Sequence, residues 1–345
     1  MNYLLNTWAT LKYQVLRIIN RRRLLRASSS NDNFVRIPVF VIASPPDMHL
    51  APLAVSCPIE KIKYIVLANG ISNTDVDWIR SECPNVTVVQ LRSSLSGNAL
   101  TYLPHAEVID LCYKISASDF IIQDADTFVT DPNWWRSISG DGCGHFARGP
   151  FGKEATSLGS KIPDTFLVRV NRVSYKAREN AGIRPHITKR APGFITESLR
   201  KRGIVFPYFP DAYHDYFDTL QLHWISALLK NEEFEHLPGE NECVFHVGGT
   251  SYLTAKNNID PYHWDYWPLN TVYFNMRVLE SARFSKFRHR FAWIYETYGT
   301  ADKILDDFPG FLQSRRYQNS ERILSFYSGY LEPRSNETGA AGSLS

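Results

Sequence analysis

A short apolar run that ends in two nearby aspartates is the feature that most constrains this chain. The run from Phe120 to Ile122 is rich in residues that strands favour, which predicts a buried β-strand reaching Asp124. Asp124 and Asp126 point the same way if the extended conformation continues. Neighbouring carboxylates repel each other unless a cation lies between them. Because magnesium and manganese commonly bridge carboxylates to substrate phosphates, the stretch predicts a metal–phosphate site.

A simpler interpretation is that Asp124 and Asp126 only end a strand, with Asp126 capping the following turn. The apolar strand before them and residues 131–135 (DPNWW) after them favour the metal site. A buried strand also carries its last residues to the carboxyl edge of an open sheet, where such folds bind ligands.

Composition limits the class of protein. The 345 residues are 44% apolar, which indicates one large packed domain with appendages or two small ones. The net charge of +3 does not suggest a polyanion binder, so no nucleic-acid partner is expected. Five widely spaced cysteines without a C-x-x-C pair favour buried thiols in a reducing cytoplasm.

The first 26 residues form a pattern typical of an amphipathic helix. Apolar residues recur at helical spacing and lead to the basic run from Arg21 to Arg23, while Lys12 and Arg17 interrupt any stretch that could span a bilayer. A helix of this kind either lies on an anionic membrane surface or packs on the protein's own body. Both interpretations stay open at this point.

Beyond residue 36 the pattern alternates between strands and helices. Predicted strands cover residues 39–43, 63–68, 85–91 and 120–124, and predicted helices cover residues 74–83 and 99–115. This rhythm predicts a largely parallel, doubly wound sheet. A basic region over residues 169–202 is interpreted as a solvated face or as a surface for an anionic acceptor or lipid. A second region, residues 276–291, mixes basic and aromatic residues and is a candidate membrane or partner face.

The acidic and aromatic segment 208–217, with Asp218 directly after it, contains the first candidates for a general base. Asp218 precedes a predicted helix over residues 220–230 with Gln221 three positions later, a capping-box arrangement that assigns Asp218 a structural role first. Asp215 has no such role. A further strand is predicted over residues 242–247.

Residues 62–135 resemble glycosyltransferase family 2 and its relatives with the GT-A fold. The segments that carry the resemblance are residues 66–70 (VLANG), 73–75 (NTD), 84–89 (PNVTVV), 96–99 (SGNA) and 123–127 (QDADT) with Asp131 and Pro132. The resemblance implies an α/β, GT-A-type (Rossmann-like) fold with a mostly parallel central sheet flanked by helices. This chain would add helical regions at its N- and C-termini.

The implied division of the chain has five parts. They are a basic amphipathic helix (1–26), a linker (27–35), a GT-A-type catalytic domain (36–255, with a nucleotide-sugar half 36–135 and an acceptor half 136–255), an aromatic and basic helical region (256–332) and a disordered tail (333–345).

The implied activity is transfer of a sugar, of the hexosyltransferase type, from a nucleotide-sugar donor to an acceptor hydroxyl, with Mn²⁺ or Mg²⁺ as cofactor. By position, Asp124 would lie near the donor ribose or the metal, and Asp126 would bind the metal. Asn69 and Gly70 would contact the donor, although Ala68 replaces the acidic residue that the family usually has before Asn-Gly.

Three further residues take roles by resemblance. Asp215, with Asp218 second, corresponds loosely to the acidic catalytic motif and would remove the acceptor hydroxyl proton. His246 would be a late histidine ligand of the metal or diphosphate, while a structural role at the end of a strand is its alternative.

The expected acceptor is a glycan or a lipid-linked glycan of the cell envelope. The expected location is the cytoplasm, at the inner face of the membrane, with an anionic membrane surface as a partner.

Two other functions compete. A phosphohydrolase of the haloacid-dehalogenase type also ends a strand in Asp-x-Asp, but it expects threonine or valine at the position of Phe128. A non-catalytic, transferase-like scaffold that binds membrane or glycan agrees with Ala68, but it has no need for clustered carboxylates.

Overall fold

The computed structural model describes residues 15–27, 37–57, 62–93, 103, 105–131, 142–143, 166–180, 220, 223, 236–237, 243–250, 253 and 260–332. The chain divides into two compact units. The first comprises residues 1–127 and 131–241, and the second comprises residues 128–130 and 242–345.

The first unit is an α/β unit. Its elements are α1 (15–27), β1 (Ile37–Ala43), α2 (Ala51–Ala54), β2 (Ile62–Asn69), α3 (Asn73–Glu82), β3 (Thr87–Leu91), α4 (His105–Ile115), β4 (Phe120–Asp124), β6 (Gly142–Cys143), β7 (Leu167–Val170), α5 (Arg172–Asn180) and β8 (His236–Leu237). The short strand β5 (Thr127–Val129) belongs to the second unit except for its first residue.

The central sheet has the strand order β3-β2-β1-β4-β7 in the described part of the chain. The three pairings among β3, β2, β1 and β4 are parallel, and only β7 runs antiparallel to its neighbour β4. The prediction of a mostly parallel central sheet flanked by helices is therefore confirmed. The strand order reverses between β1 and β4. The chain adds β2 and β3 on one side of β1 and then places β4 on the other side.

The inner strands form because their sequences are continuous apolar runs, as expected for strands covered on both faces. Val39, Val41 and Ile65 are fully buried, and the rings of Phe40 and Phe120 meet edge to face with centroids 5.9 Å apart. Helix α3 begins at Asn73 rather than at the predicted residue 74, because Ser72 caps it by accepting a hydrogen bond from the backbone N–H of Asp75.

The described part of the N-terminal helix, α1, packs on the first unit. Leu16 and Leu24 are buried, and Leu24 belongs to the main core of the sheet. Asn20 exchanges two hydrogen bonds with the backbone of Arg92, each 2.8 Å long. No helix among the described residues is both long and apolar enough to cross a bilayer.

The second unit is built around one long helix. Its elements are β9 (Val244–His246), which pairs with β5, then α6 (His263–Glu280), a 3₁₀ helix (Ser285–Phe291), α7 (Ala292–Tyr298), α8 (Ala301–Asp307), a second 3₁₀ helix (Pro309–Gln313), α9 (Arg315–Phe326) and α10 (Ser328–Leu331). Phe274 of α6 packs on Phe128 of β5 and Phe245 of β9, with ring centroids 5.2 and 6.2 Å apart.

The aromatic residues of the basic region 276–291 contribute to this core. Phe284, Phe287 and Phe291 are buried, and the guanidinium of Arg283 lies 3.6 Å from the centre of the Tyr330 ring. The described structure therefore does not present these phenylalanines as a surface for membrane or partner.

Adjacent leucines of α1 give a direct test of its packing. Replacing Leu24 by alanine should lower the free energy of unfolding by about 2 to 4 kcal/mol, since it leaves a cavity in the core. The matched control is Leu25→Ala, where the side chain is 41% exposed and the change should stay within about 0.5 kcal/mol. Urea unfolding of both variants measures the difference, and equal losses would contradict the packing of α1.

Candidate functional site

The candidate site lies at the carboxyl edge of the sheet, where β1 and β4 end side by side. Ile42 near the end of β1 is in register with Asp124, the last residue of β4. This is the position at which the strand order reverses, and open α/β sheets bind ligands in the crevice beside such a point. Loops leaving β1 and β4 therefore both contribute side chains to one place.

The Asp-x-Asp segment is a turn, not an extension of the strand. β4 ends at Asp124, and Ala125 and Asp126 form a turn whose first amide, that of Ala125, donates to the carbonyl of Ile42. The buried side chain of Gln123 donates to the carbonyl of Thr127 at 2.8 Å and closes this turn. The extended conformation therefore ends at Asp124, and this turn, instead of alternation along a strand, brings carboxylate oxygens of Asp124 and Asp126 within 4.8 Å of each other.

A third carboxylate, Asp47, joins the two aspartates at this edge. It lies in the turn after β1, where its Oδ1 accepts hydrogen bonds from Ser44 N (2.6 Å) and Ser44 Oγ (3.0 Å). Burial, followed by the negative charge of Asp126 and, more weakly, Asp124, raises the pKa of Asp47 to about 8. The bonds from Ser44 act in the opposite direction without cancelling this effect.

His105, the first residue of α4, extends the cluster. Its Nε2 lies 2.9 Å from Oδ1 of Asp124, and its side chain is 41% exposed while that of Asp124 is 25% exposed. The imidazole therefore fixes the orientation of the Asp124 carboxylate at the solvent-accessible mouth of the cluster. Asp126 lies deeper and is only 6% exposed.

Asn69 and Gly70, predicted to contact the donor, lie at the carboxyl end of β2. The amide of Asn69 is buried and bonds to both the N–H and the carbonyl of Leu103, each at 2.8 Å. Asn69 thus holds the segment that precedes α4. Gly70 has a φ of +73°, a conformation that favours glycine and lets the chain turn away from the sheet edge.

His246 is the last residue of β9 in the second unit and is partly exposed. Within that unit the amide of Thr130 donates to the carbonyl of Cys243, so the end of β5 lies beside the start of β9 and the two strands are antiparallel.

The loop after His246 is a close backbone turn. Gly248 and Gly249 have φ values of +67° and +68°, and a side chain at Gly248 would lie 2.9 Å from Nε1 of Trp267. The indole N–H of Trp267 donates to the carbonyl of Val247 at 3.2 Å. Asp215 and Asp218, the predicted bases, lie outside the described residues.

The residues of the first unit fit a hard divalent cation. Asp124 and Asp126 offer carboxylate oxygens that lie within 4.8 Å of each other, and these are the ligands that Mg²⁺ and Mn²⁺ prefer. The charges of both residues also act on Asp47, and a cation would relieve this repulsion. Asp124 and Asp126 are predicted from the sequence, and Asp47 is not.

Asp47 and His105 were missed by the sequence analysis. The signal for Asp47 was the segment Ser44-Pro45-Pro46-Asp47 directly after a predicted buried strand, which marks a turn at a sheet edge. The signal for His105 was its position after Pro104 at the start of a predicted helix. Neither signal reveals that both residues face the Asp-x-Asp turn.

No family model and no curated protein sequence matches the chain. Among solved structures the chain is similar to the glycosyltransferase GlyE of Streptococcus pneumoniae TIGR4, with 11% identity and a TM-score of 0.33 over 59% of this chain and 45% of GlyE. The apo form of GlyE is 10% identical, with a TM-score of 0.34 over 60% of this chain and 46% of GlyE. S. aureus TarS residues 1–349 are 11% identical, with a TM-score of 0.27 over 90% of this chain and 94% of the TarS chain. This chain spans less than half of the length of the GlyE chains.

The raised pKa of Asp47 predicts a pH-dependent stability. In metal-free protein the folded state keeps the Asp47 proton up to about pH 8, whereas the unfolded chain releases it near 3.8. The folded state therefore loses stability as the pH rises through this window, by at most about 1.4 kcal/mol per pH unit. Asp47→Asn keeps an acceptor for Ser44 but does not titrate, so it should gain stability relative to the wild type across the window.

Urea unfolding of both proteins in EDTA, at several pH values from 4 to 8, measures this difference. A difference that does not change with pH would show that Asp47 titrates normally and does not share its surroundings with the other two carboxylates.

Proposed function

We propose that the protein is a glycosyltransferase with a GT-A-type core that uses a divalent cation to bind a nucleotide-sugar donor. The observation that carries the proposal is that carboxylate oxygens of Asp124 and Asp126 lie within 4.8 Å of each other beside the point where the strand order reverses. Clustered carboxylates at the carboxyl edge of an α/β sheet suit a cation that in turn holds the diphosphate of a nucleotide.

The proposed metal ligands are Asp124 and Asp126, which end β4 and form the turn after it, and His246 is the third ligand that the resemblance implies. When bound, Mn²⁺ or Mg²⁺ would neutralise the negative charge that develops on the departing nucleoside diphosphate. Asp47 would then act as a third carboxylate that raises the affinity of the site for a cation.

The other residues of the first unit would orient the donor. His105 holds the Asp124 carboxylate, and Asn69 fixes the backbone at Leu103, at the edge where the nucleotide would lie. Gly70, which has no side chain, would leave room for the nucleoside. The proposed base for the acceptor hydroxyl is Asp215, with Asp218 as the second candidate.

The proposed donor class is a nucleotide hexose, and the proposed acceptor is a glycan or lipid-linked glycan of the cell envelope. The second candidate function is a non-catalytic scaffold that binds membrane or glycan. It is favoured by the side-chain amide of Asn69, which forms hydrogen bonds with the backbone of Leu103 instead of facing a nucleotide base. Purified protein with Mn²⁺ and a nucleotide-sugar, without acceptor, distinguishes the two functions: slow hydrolysis of the donor supports the transferase, and none supports the scaffold.

The proposal predicts metal-dependent nucleotide binding. Nucleoside diphosphates should raise the melting temperature of the wild type in the presence of Mn²⁺ and not in EDTA, because a ligand that binds the folded state stabilises it by mass action. Asp124→Asn and Asp126→Asn should abolish this increase. The control Asp77→Asn, whose side chain on α3 is 71% exposed, should keep it.

A melting temperature that rises with nucleotide equally in EDTA would show that the phosphates are bound without a cation. An unchanged increase in both site variants would place the nucleotide elsewhere in the protein.

His105 provides a second test. Removing a hydrogen-bond partner of a metal ligand typically weakens metal binding by about 10- to 100-fold, so His105→Ala should reduce Mn²⁺ affinity in that range. His105→Gln, which can still donate to Asp124, should recover part of the loss. Titration calorimetry with Mn²⁺ measures both values, and wild-type affinity in His105→Ala would remove the imidazole from the site.

A further inference from the structure

Helix α1 runs antiparallel to the strands of the central sheet, on the flank formed by β2, β3 and α4. Near its start, Arg17 forms a double hydrogen bond with Glu107, which lies in the first turn of α4 (Nε–Oε2 2.8 Å and Nη2–Oε1 2.7 Å). At its end, the carbonyl of Ala27 accepts from Nζ of Lys63, the second residue of β2. The start of α1 therefore lies at the carboxyl edge and its end at the amino edge of the sheet.

This packing buries one face of α1. Leu16, Asn20 and Leu24, spaced four residues apart, are buried, and Arg23 donates to the carbonyl of Gln90 at 2.6 Å. Two arginines of this basic segment, Arg17 and Arg23, thus form hydrogen bonds within the first unit.

The opposite face is basic and apolar. Ile18, Arg21, Arg22 and Leu25 follow the i, i+3, i+4, i+7 spacing of a single helix face, and all four are exposed. Ile18 is 54% and Leu25 41% exposed, so two of the six exposed large apolar side chains of the described residues lie on this one face. On this exposed face Ile18 and Leu25 thus flank the two arginines.

We propose that this outer face of α1 docks the protein on an anionic lipid surface. The arginines would lie among the headgroups while Ile18 and Leu25 enter the boundary between headgroups and acyl chains, as amphipathic helices at membrane surfaces do. Apolar side chains would gain nothing from a nucleic-acid backbone, so the combination favours lipid.

Docking through this face would also fix the orientation of the sheet. Because α1 is held by Glu107, Arg92 and Lys63, the strands would lie along the membrane with their carboxyl edge, where the candidate site lies, open to one side. A soluble donor and a membrane-held acceptor could both reach that edge. The docking itself does not depend on the proposed transferase activity.

The test is co-sedimentation of the full chain with vesicles of phosphatidylcholine alone and of phosphatidylcholine mixed with phosphatidylglycerol. We expect binding only to the mixed vesicles. Reversing both charges, Arg21→Glu with Arg22→Glu, should lower the partition coefficient by roughly 25-fold or more, since each basic residue near an anionic surface contributes on the order of fivefold. The matched control reverses two exposed arginines elsewhere, Arg80→Glu with Arg315→Glu, and should keep most of the binding.

The apolar contribution is tested separately. Leu25→Gln should reduce binding several-fold, whereas Leu312→Gln, at a leucine of nearly equal exposure (40%) in the second unit, should not. Unchanged melting temperatures in all variants would show that the effects come from the surface.

Three results would overturn the proposal. They are equal binding to neutral and anionic vesicles, equal losses in the Arg21/Arg22 and Arg80/Arg315 variants, and absence of vesicle binding together with a dimer in sedimentation velocity that Leu25→Gln dissociates. The last result would assign the face to a second copy of the chain. A fully active enzyme that fails to bind vesicles would remove the docking surface and leave the proposed function standing.

Discussion

Repulsion among three carboxylates at the end of two adjacent strands is the interaction on which the functional interpretation depends. Asp47 follows β1 and Asp124 ends β4, and these strands are neighbours only because the strand order reverses between them. A fold gains nothing from gathering like charges in a partly buried place, and burial first, then the charges of Asp126 and Asp124, raise the pKa of Asp47. The proposed cation would relieve the repulsion among these groups.

The surrounding structure holds this cluster in place with uncharged groups. Gln123 closes the Asp124–Asp126 turn, Ser44 holds Asp47, and Asn69 fixes the backbone that leads to His105. These contacts come from the ends of three neighbouring strands. The edge of the sheet is therefore preorganised, because hydrogen bonds hold the backbone and side chains that surround its carboxylates.

Sequence patterns predicted the sheet well because its inner strands are buried on both faces and so are continuously apolar. They predicted the Asp-x-Asp pair but not how it is brought together, since a two-residue turn replaces the expected strand geometry. Asp47 and His105 could not be found from local pattern, because their role arises from the pairing of β1 with β4. Likewise, long-range contacts such as that between Arg17 and Glu107, 90 residues apart, reveal which face of α1 is turned inward, and the local sequence pattern does not.

The most direct test of the central claim is electron paramagnetic resonance of Mn²⁺ added to the purified protein with a nucleoside diphosphate. The account predicts one tightly bound Mn²⁺ per chain, whose signal shows coupling to the phosphorus nuclei of the nucleotide and is lost in Asp126→Asn. Mn²⁺ that stays free in solution, or bound Mn²⁺ that shows no coupling to phosphorus, would contradict it.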